Sequence, residues 1–415
     1  MEKQRNKVCG ADIHKKFLVA TILSRDGTKT TERFGMNLDD IIKFKEWVVK
    51  NNCEQVAVES TGVYWVPIYT VLEDKIEVIV ANAYKIKHTP GRKTDVRDSE
   101  WLAQLCLNGM IEPSRIFPKE DREIRTLTRA RESLVNNSTQ MKNRIHQALE
   151  SSCIKISSVL SDIFGKSGRH IIDGLIEGRS IDEILSGIKS KRVLKKEQDL
   201  RDAIKNSLDP AQILMIRNCL ELIEEIQKRI EKLDAEILSR IEKRKEDVEI
   251  AMSIPGIAFT SASAILSEIG DYRDFENGEK LAAWCGLTPS VSQSANKLVT
   301  GRITKQGSKH VRRMLVQVAH AISRTKNSVL KRFFLRIQAK KGAKKAAVAL
   351  ARKVLCILHH LLMNREMYQE NGKTKSKPVK FDRTSSPIQM TEQDMIDVLS
   401  NAGYIIKKRG VWGCI

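Results

Sequence analysis

The chain has no CxxC pair anywhere: its eight cysteines, at positions 9, 53, 106, 153, 219, 285, 356 and 414, are scattered singly. That spacing argues against a zinc module and against a disulfide framework, and leaves the cysteines as small apolar residues for burial. An uncharged apolar run of membrane-spanning length is also missing, because the most apolar late stretch, AAVALARKVLCILHHLLM, carries Arg352 and Lys353 within it. The opening MEKQRNKVCG is charged and leads into no hydrophobic export segment or cleavage site, so the expected setting is the cytoplasm of a prokaryote-like cell, without a membrane partner. The most informative absence is of acid. From Lys280 to Arg365 there is no Asp or Glu in 86 residues, against 19 Lys and Arg. This segment carries most of the formal charge of +21, and a one-sign field of that length calls for a polyanion, for which nucleic acid is the usual partner. A merely solvated basic surface is the plainer alternative.

What is present is enough chain, at 415 residues, for two or three domains, with 41% hydrophobic and 30% charged residues as in a water-soluble globular protein. The first hundred residues alternate strand and helix signals. KVCGAD and FLVATILS are β-rich runs joined by the polar IHKK, and TKTTERFGM follows the turn signal RDG, which predicts a three-stranded meander. DDIIKFKEWVVKNN has helical spacing after a capping Asn37; QVAVES is a short buried strand, VYWVPIYTVLED a helix, IEVIVA another strand, and DVRDSEWLAQLCLNG a last helix. The order β-β-β-α-β-α-β-α is that of an RNase H-like α/β domain, expected over residues 1–118.

Pro113 and Pro118 interrupt this pattern, and a helical region is expected over 119–249. Within it Ile216, Ile223, Ile230 and Ile237 recur every seven residues, alternating with Cys219, Ile226, Leu233 and Arg240. Such a stripe suits a two-stranded coiled coil between chains, or equally a helix packed within one chain. A mainly helical domain is expected over 250–365, opening with MSIPGIAFTSASAILSEIGDYRDF. Its Pro-Gly turn between apolar helices resembles a helix-hairpin-helix, whose exposed amides can hold a phosphate, although many structural hairpins look alike. Residues 366–415 read as a polar linker followed by one small capped helix, TEQDMIDVLSNAG. The expected fold class is therefore α/β plus all-α.

Four acids stand out. Asp12 and Glu59 end the apolar runs VCGAD and VAVES, and Asp95 and Asp98 open a helix three residues apart, hence on one face of it. Singly, each has an ordinary explanation as a turn residue or as a partner of the positive helix end. Together they converge where the topology makes strand ends neighbours, and clustered carboxylates repel unless a cation lies between them. Mg²⁺ or Mn²⁺ prefers such oxygen donors, and in phosphoryl transfer two metal ions flank the scissile phosphate.

With these residues the sequence becomes recognisable. GADIHKK, ESTGVYW, VANAYKIKHTPGRKTDVRDSEWLA, and later SIPGIAFTSASAILSEIGDYRDF, LAAWCGLTPSVSQSANK and GRITKQGSKHVRRML resemble the IS110 transposase family, the DEDD recombinases of bacterial insertion sequences. The likeness runs from about residue 8 to 325 in two blocks with the right order and spacing. It implies an N-terminal RuvC-like domain whose four acids match Asp12, Glu59, Asp95 and Asp98, a coiled-coil middle, and a C-terminal domain with a nucleophilic serine. In the family that serine lies five residues after the proline of GL-x-P and precedes a glycine; here the position is Ser294, and Ala295 replaces the glycine. Ser290, Ser292 and Ser294 share one short polar segment read as a loop, where serines ordinarily form turns. The family further implies donor and target DNA as substrates, a bridge RNA that pairs with both, and a homodimer or homotetramer acting at the nucleoid. Lys297, Arg302, Lys305, Lys309, Arg312 and Arg313 are the expected nucleic-acid contacts in the acid-free segment. A RuvC-like structure-specific nuclease would need the acids but not the serine, and a catalytically decayed nucleic-acid-binding protein would need neither.

Overall fold

The computed structural model describes residues 5–60, 62–82, 94–294, 297–326 and 328–370, with backbone alone for 292–294 and 297–300. Ala295 and the small helix expected near the C-terminus lie outside the described residues, as does all but the start of the polar linker before that helix. The chain forms two compact units, Met1–Pro118 and Lys119–Ile415.

In the first unit the element order follows the hydrophobic patterning: β1 (Lys7–Ile13), β2 (Phe17–Ser24), β3 (Lys29–Gly35), α1 (Leu38–Lys50), β4 (Gln55–Glu59), α2 (Trp65–Leu72), β5 (Glu77–Ala81) and α3 (Asp95–Leu107). The five strands form one mixed sheet in the order β3-β2-β1-β4-β5. Strands β1, β2 and β3 pair antiparallel, while β4 runs parallel to both β1 and β5. Across the short connection His14-Lys15-Lys16, the His14 amide donates to the Phe17 carbonyl at 2.8 Å. Asn37 caps α1 by accepting from the Asp40 amide, as its position before the helical run predicts.

Strand period two divides the unit into layers. Cys9, Ala11 and Ile13 of β1 pack with Leu18, Ala20, Ile22, Val56 and Val58 against Ile41, Phe44, Ile68 and Leu72 of α1 and α2. Val8 and Ala57 face the other way, onto Ala103 and Cys106 of α3. Gly10, on that second face, is where α3 comes closest. A Cβ there would sit 2.3 Å from the Ala103 nitrogen and the Ser99 oxygen, so only glycine lets the helix backbone rest on the strand. The buried Thr21 and Ser99 hydroxyls, 2.7 Å apart, tie α3 to β2 as well.

Among the described residues the second unit is helical except for one hairpin. Helix α4 (Lys119–Ser151) and α5 (Pro210–Arg240) run antiparallel, with Arg131 on Asp234, Arg240 on Glu123 and Ser152 on Gln212 marking the register. Asp209 caps α5 in a capping box with Gln212, and Pro210 occupies its first turn. The isoleucine stripe of α5 is thus met within the chain by α4, and Ile216, Ile230 and Ile237 are buried. Between the two long helices, short helices between Ile156 and Ala203 enclose a separate core around Ile154, Ile171, Ile184 and Leu200.

The remainder comprises α6 (Lys245–Met252), α7 (Phe259–Ile269), α8 (Gly278–Trp284), β6 (Pro289–Ser294), β7 (Lys297–Ile303), α9 (Lys309–Arg324), α10 (Val329–Lys341) and α11 (Ala343–Asn364). Their largest shared core runs from Ile241 to Leu362. The turn between α6 and α7 carries Gly256 at φ +84°, with Ile322 of α9 packed closely beneath it. Helix α11 is long and apolar enough to cross a membrane by length and composition, yet Ala347, Leu350, Val354, Leu355 and Leu358 are buried in this core.

Candidate metal centre and basic segment

Asp12 is at the C-terminal end of β1, on the face toward α3, and Glu59 ends the neighbouring strand β4, where Ala11 pairs with Val58. Asp95 and Asp98 fill the first turn of α3, whose N-cap Thr94 accepts from the Arg97 amide. Acids belong there, since the unpaired amides and helix dipole favour negative charge. The Gly10 contact seats α3 on β1 two residues before Asp12, which carries that first turn toward the strand ends.

The Asp12 side chain is only 12% exposed. Burial is the main influence on its carboxyl and raises its pKa; His14 opposes the rise, and Asp98, Asp95 and Glu59 add to it. All four acids therefore share one electrostatic neighbourhood. Mutual repulsion among carboxylates, one of them buried, is the condition that a hard divalent cation relieves, so the donor set fits such an ion.

One further residue belongs to the cluster. His14 Nε2 lies 3.1 Å from Asp12 Oδ2 and 3.3 Å from Asp95 Oδ1. Single ligand atoms of Asp12, His14 and Asp95 fall within 4.8 Å of one another. The imidazole leans on the Phe17 ring, 4.8 Å between centroids, and Arg33 stacks over that ring at 3.7 Å. Sequence reasoning passed over His14, whose one signal in the sequence is its place two residues beyond Asp12.

In the second unit Ser290, Ser292 and Ser294 lie on strand β6, rather than in a loop, paired with β7 from Pro289↔Ile303 to Ser294↔Lys297. The Ser290 hydroxyl donates to the Arg302 carbonyl at 3.2 Å. The side chains of Ser292, Ser294 and Lys297 lie outside the described residues.

The expected nucleic-acid contacts divide in two. Arg302, Lys305 and Lys309 are exposed. Arg312 instead points inward and donates to the carbonyls of Cys285, Gln306 and Gly307, at 3.0, 2.7 and 3.1 Å. Arg313 pairs with Glu132 at 2.5 Å and Asn136 at 2.6 Å on α4. The basic segment is therefore partly neutralised from outside itself, which a one-dimensional charge count could not show. His310 shares Glu132.

Beside this pair lies a buried carboxylate. Glu268 on α7, 1% exposed, accepts from Arg129 Nε at 2.6 Å and from Ser308, the N-cap of α9, at 2.6 Å. Burial pushes its pKa up, but the Arg129 and Ser308 hydrogen bonds, with Arg125 nearby, outweigh that and hold it below the usual carboxylate range. This network joins α4, α7 and the start of α9.

Buried cysteines take no part in this chemistry. Desolvation pushes the thiols of Cys53 and Cys106 up to about 12, and every cysteine among the described residues is free.

Comparison with known proteins gives two matches to family patterns: a transposase domain of IS110 DEDD type over residues 9–154, and one described as "Transposase IS116/IS110/IS902 family" over 248–335. A probable family 20 transposase of Pseudomonas aeruginosa is 24% identical over 319 residues, 76% of this chain and 85% of that protein. The transposase for insertion sequence element IS1111A of Coxiella burnetii is 33% identical over 137 residues, 32% of this chain and 38% of its own. A putative transposase of Sinorhizobium fredii is 24% identical over 338 residues, covering 80% of this chain and 78% of the relative.

Proposed function

Because the chain belongs to the IS110 family of insertion-sequence transposases, we propose that it cuts and rejoins DNA by metal-assisted phosphoryl transfer, with Asp12, Glu59, Asp95 and Asp98 as the metal-holding acids and Ser294 as the nucleophile. The observation that carries the reading is that Asp12 at the end of β1 and Asp95 at the start of α3 offer ligand atoms within 4.8 Å of one another, with Glu59 ending the neighbouring strand β4 and Asp98 in the same helical turn as Asp95. The sheet order and the position of these acids agree with an RNase H or RuvC-like domain over 1–118. Residues 119–249 then serve as a helical spacer, 250–365 as the serine-bearing transposase domain, and 366–415 as a tail.

Bound Mg²⁺ or Mn²⁺ would supply positive charge at the scissile phosphate and lower the proton affinity of an attacking oxygen. Asp12, held in a buried strand, and Glu59 beside it fix one side of that site; Asp95 and Asp98 on the helix fix the other. In the covalent step the Ser294 hydroxyl loses its proton and its oxygen bonds to phosphorus. The bond from phosphorus to the leaving deoxyribose oxygen breaks, and that oxygen takes up a proton. The serine ester keeps the phosphodiester's energy for rejoining, which direct hydrolysis would discard. Support for Ser294 comes from its place five residues after Pro289 in the family motif.

Exposed Arg302, Lys305 and Lys309 offer backbone contacts to DNA and to a bridge RNA, whose base pairing would choose donor and target. The protein works as a homodimer or homotetramer in the cytoplasm of a prokaryotic cell.

The test is DNA cleavage by purified protein on a nicked trapping substrate, run under denaturing conditions. Asp12→Ala and Asp98→Ala, or excess chelator, should abolish cleavage while nucleic-acid binding persists. Ser294→Ala should form no covalent protein–DNA species, while Ser290→Ala and Ser292→Ala still do. An adduct that survives in Ser294→Ala, or maps to another residue, refutes the serine assignment. Cleavage to free ends without any adduct in the wild-type protein would instead favour a RuvC-like nuclease.

A further inference from the structure

We propose that His14 is a direct ligand of the metal centre and makes it select Mn²⁺, or another divalent transition metal, over Mg²⁺. This rests on the reading of the four acids as a metal site and goes beyond it by adding a nitrogen donor that an all-carboxylate set lacks.

Geometry supports direct ligation. Donors about 2.1 Å from one octahedral cation stand about 3.0 Å apart when adjacent and about 4.2 Å apart when opposite. His14 Nε2 is 3.1 Å from Asp12 Oδ2 and 3.3 Å from Asp95 Oδ1, the spacing of adjacent ligands. One ligand atom from each of Asp12, His14 and Asp95 lies within 4.8 Å of the other two.

The imidazole is also held in place. Its backbone amide closes the β1–β2 turn on the Phe17 carbonyl, and its ring rests against the Phe17 ring, itself covered by Arg33. A ligand already fixed by its turn and by ring contact loses little freedom when it binds. The side chain is 41% exposed, so an ion can reach it from solvent.

The chemistry follows from donor type. Mg²⁺ prefers oxygen and retains its water reluctantly, whereas imidazole nitrogen binds later first-row ions more strongly, in the order Mn²⁺ below Fe²⁺ below Co²⁺. Replacing one oxygen position by nitrogen therefore raises affinity for transition ions relative to Mg²⁺.

Mn²⁺ binding to the full-length protein tests this, measured by loss of the free-ion EPR signal and by competition with Mg²⁺, alongside pulsed EPR for nitrogen coupled to bound Mn²⁺. The wild-type protein should show nitrogen coupling and prefer Mn²⁺. His14→Gln keeps size and polarity but offers an amide oxygen; it should lose the coupling and weaken Mn²⁺ by roughly tenfold or more, with Mg²⁺ little changed. His14→Ala should behave alike, with unchanged thermal melting confirming its fold. Mn²⁺ bound without nitrogen coupling, and with the same preference in His14→Gln, overturns the proposal but leaves the carboxylate site standing. Absence of any Mn²⁺ or Mg²⁺ binding that Asp12→Asn abolishes overturns both.

Discussion

Gly10→Ala probes the joint on which the candidate centre depends. The new methyl carbon would lie 2.3 Å from two backbone atoms of α3, Ala103 nitrogen and Ser99 oxygen, and 2.9 Å from the Leu102 carbonyl carbon. No side-chain rotation can relieve contacts with backbone, so the helix must retreat by about 1 Å to restore ordinary van der Waals separation. Overpacking of this kind costs about 1–3 kcal/mol, and about 4 °C in melting temperature accompanies each kcal/mol in a domain of this size. The same retreat carries Asp95 and Asp98 away from Asp12 and stretches the 2.7 Å Thr21–Ser99 hydrogen bond. Metal affinity and cleavage should therefore fall more steeply than stability alone accounts for. Gly27→Ala is the control. It lies in the β2–β3 turn at φ +88° with open space where the Cβ would go, so it costs only the left-handed backbone penalty of about 1–2 kcal/mol. Thermal melting and Mn²⁺ titration of both variants decide the matter. If Gly10→Ala melts and binds metal like the wild-type protein, the argument that this close approach positions the acids is wrong.

Glu268→Ala should destabilise the second unit by about 3 kcal/mol, the lower end for breaking a buried ion pair because the Arg129 side chain is 40% exposed. The Glu268 pKa is lowered on folding, so its stabilisation is present above the unfolded carboxylate range and lost as pH falls through the folded value. Urea unfolding should thus show a wild-type advantage at neutral pH that narrows in acid; a gap independent of pH would contradict the charge argument. For nucleic acid, contact with about six phosphates predicts a log–log salt slope near −5 on duplex DNA, and Lys305→Ala or Lys309→Ala should each reduce it by about 0.9. Arg312→Ala should instead lower the melting temperature, since three carbonyls lose their donor. An unchanged slope in both lysine variants would move the polyanion site elsewhere.

The sequence by itself determined the local chemistry of the first unit. Apolar runs bounded by RDG and by polar turns set the strands, and Asn37 set the start of α1. The apolar runs put Asp12 and Glu59 at strand ends, while the i, i+3 spacing put Asp95 and Asp98 together. These follow from repeats of a few residues, which near neighbours in the chain dictate. What covers an apolar stripe, or pairs with a charge, is not a local matter. The Ile216 to Ile237 stripe is consistent with a second chain or with this one; the fold closes it with α4. Lys280 to Arg365 contains no acid, yet Glu132, about 180 residues before Arg313, pairs with that arginine. Arg302 and Arg312 are alike in sequence, but one faces solvent and the other is engaged by three carbonyls. His14 gained meaning only when α3 brought Asp95 to 3.3 Å from its ring. Each of these depends on contacts between segments distant in sequence, whose selection by packing no pattern of neighbouring residues encodes.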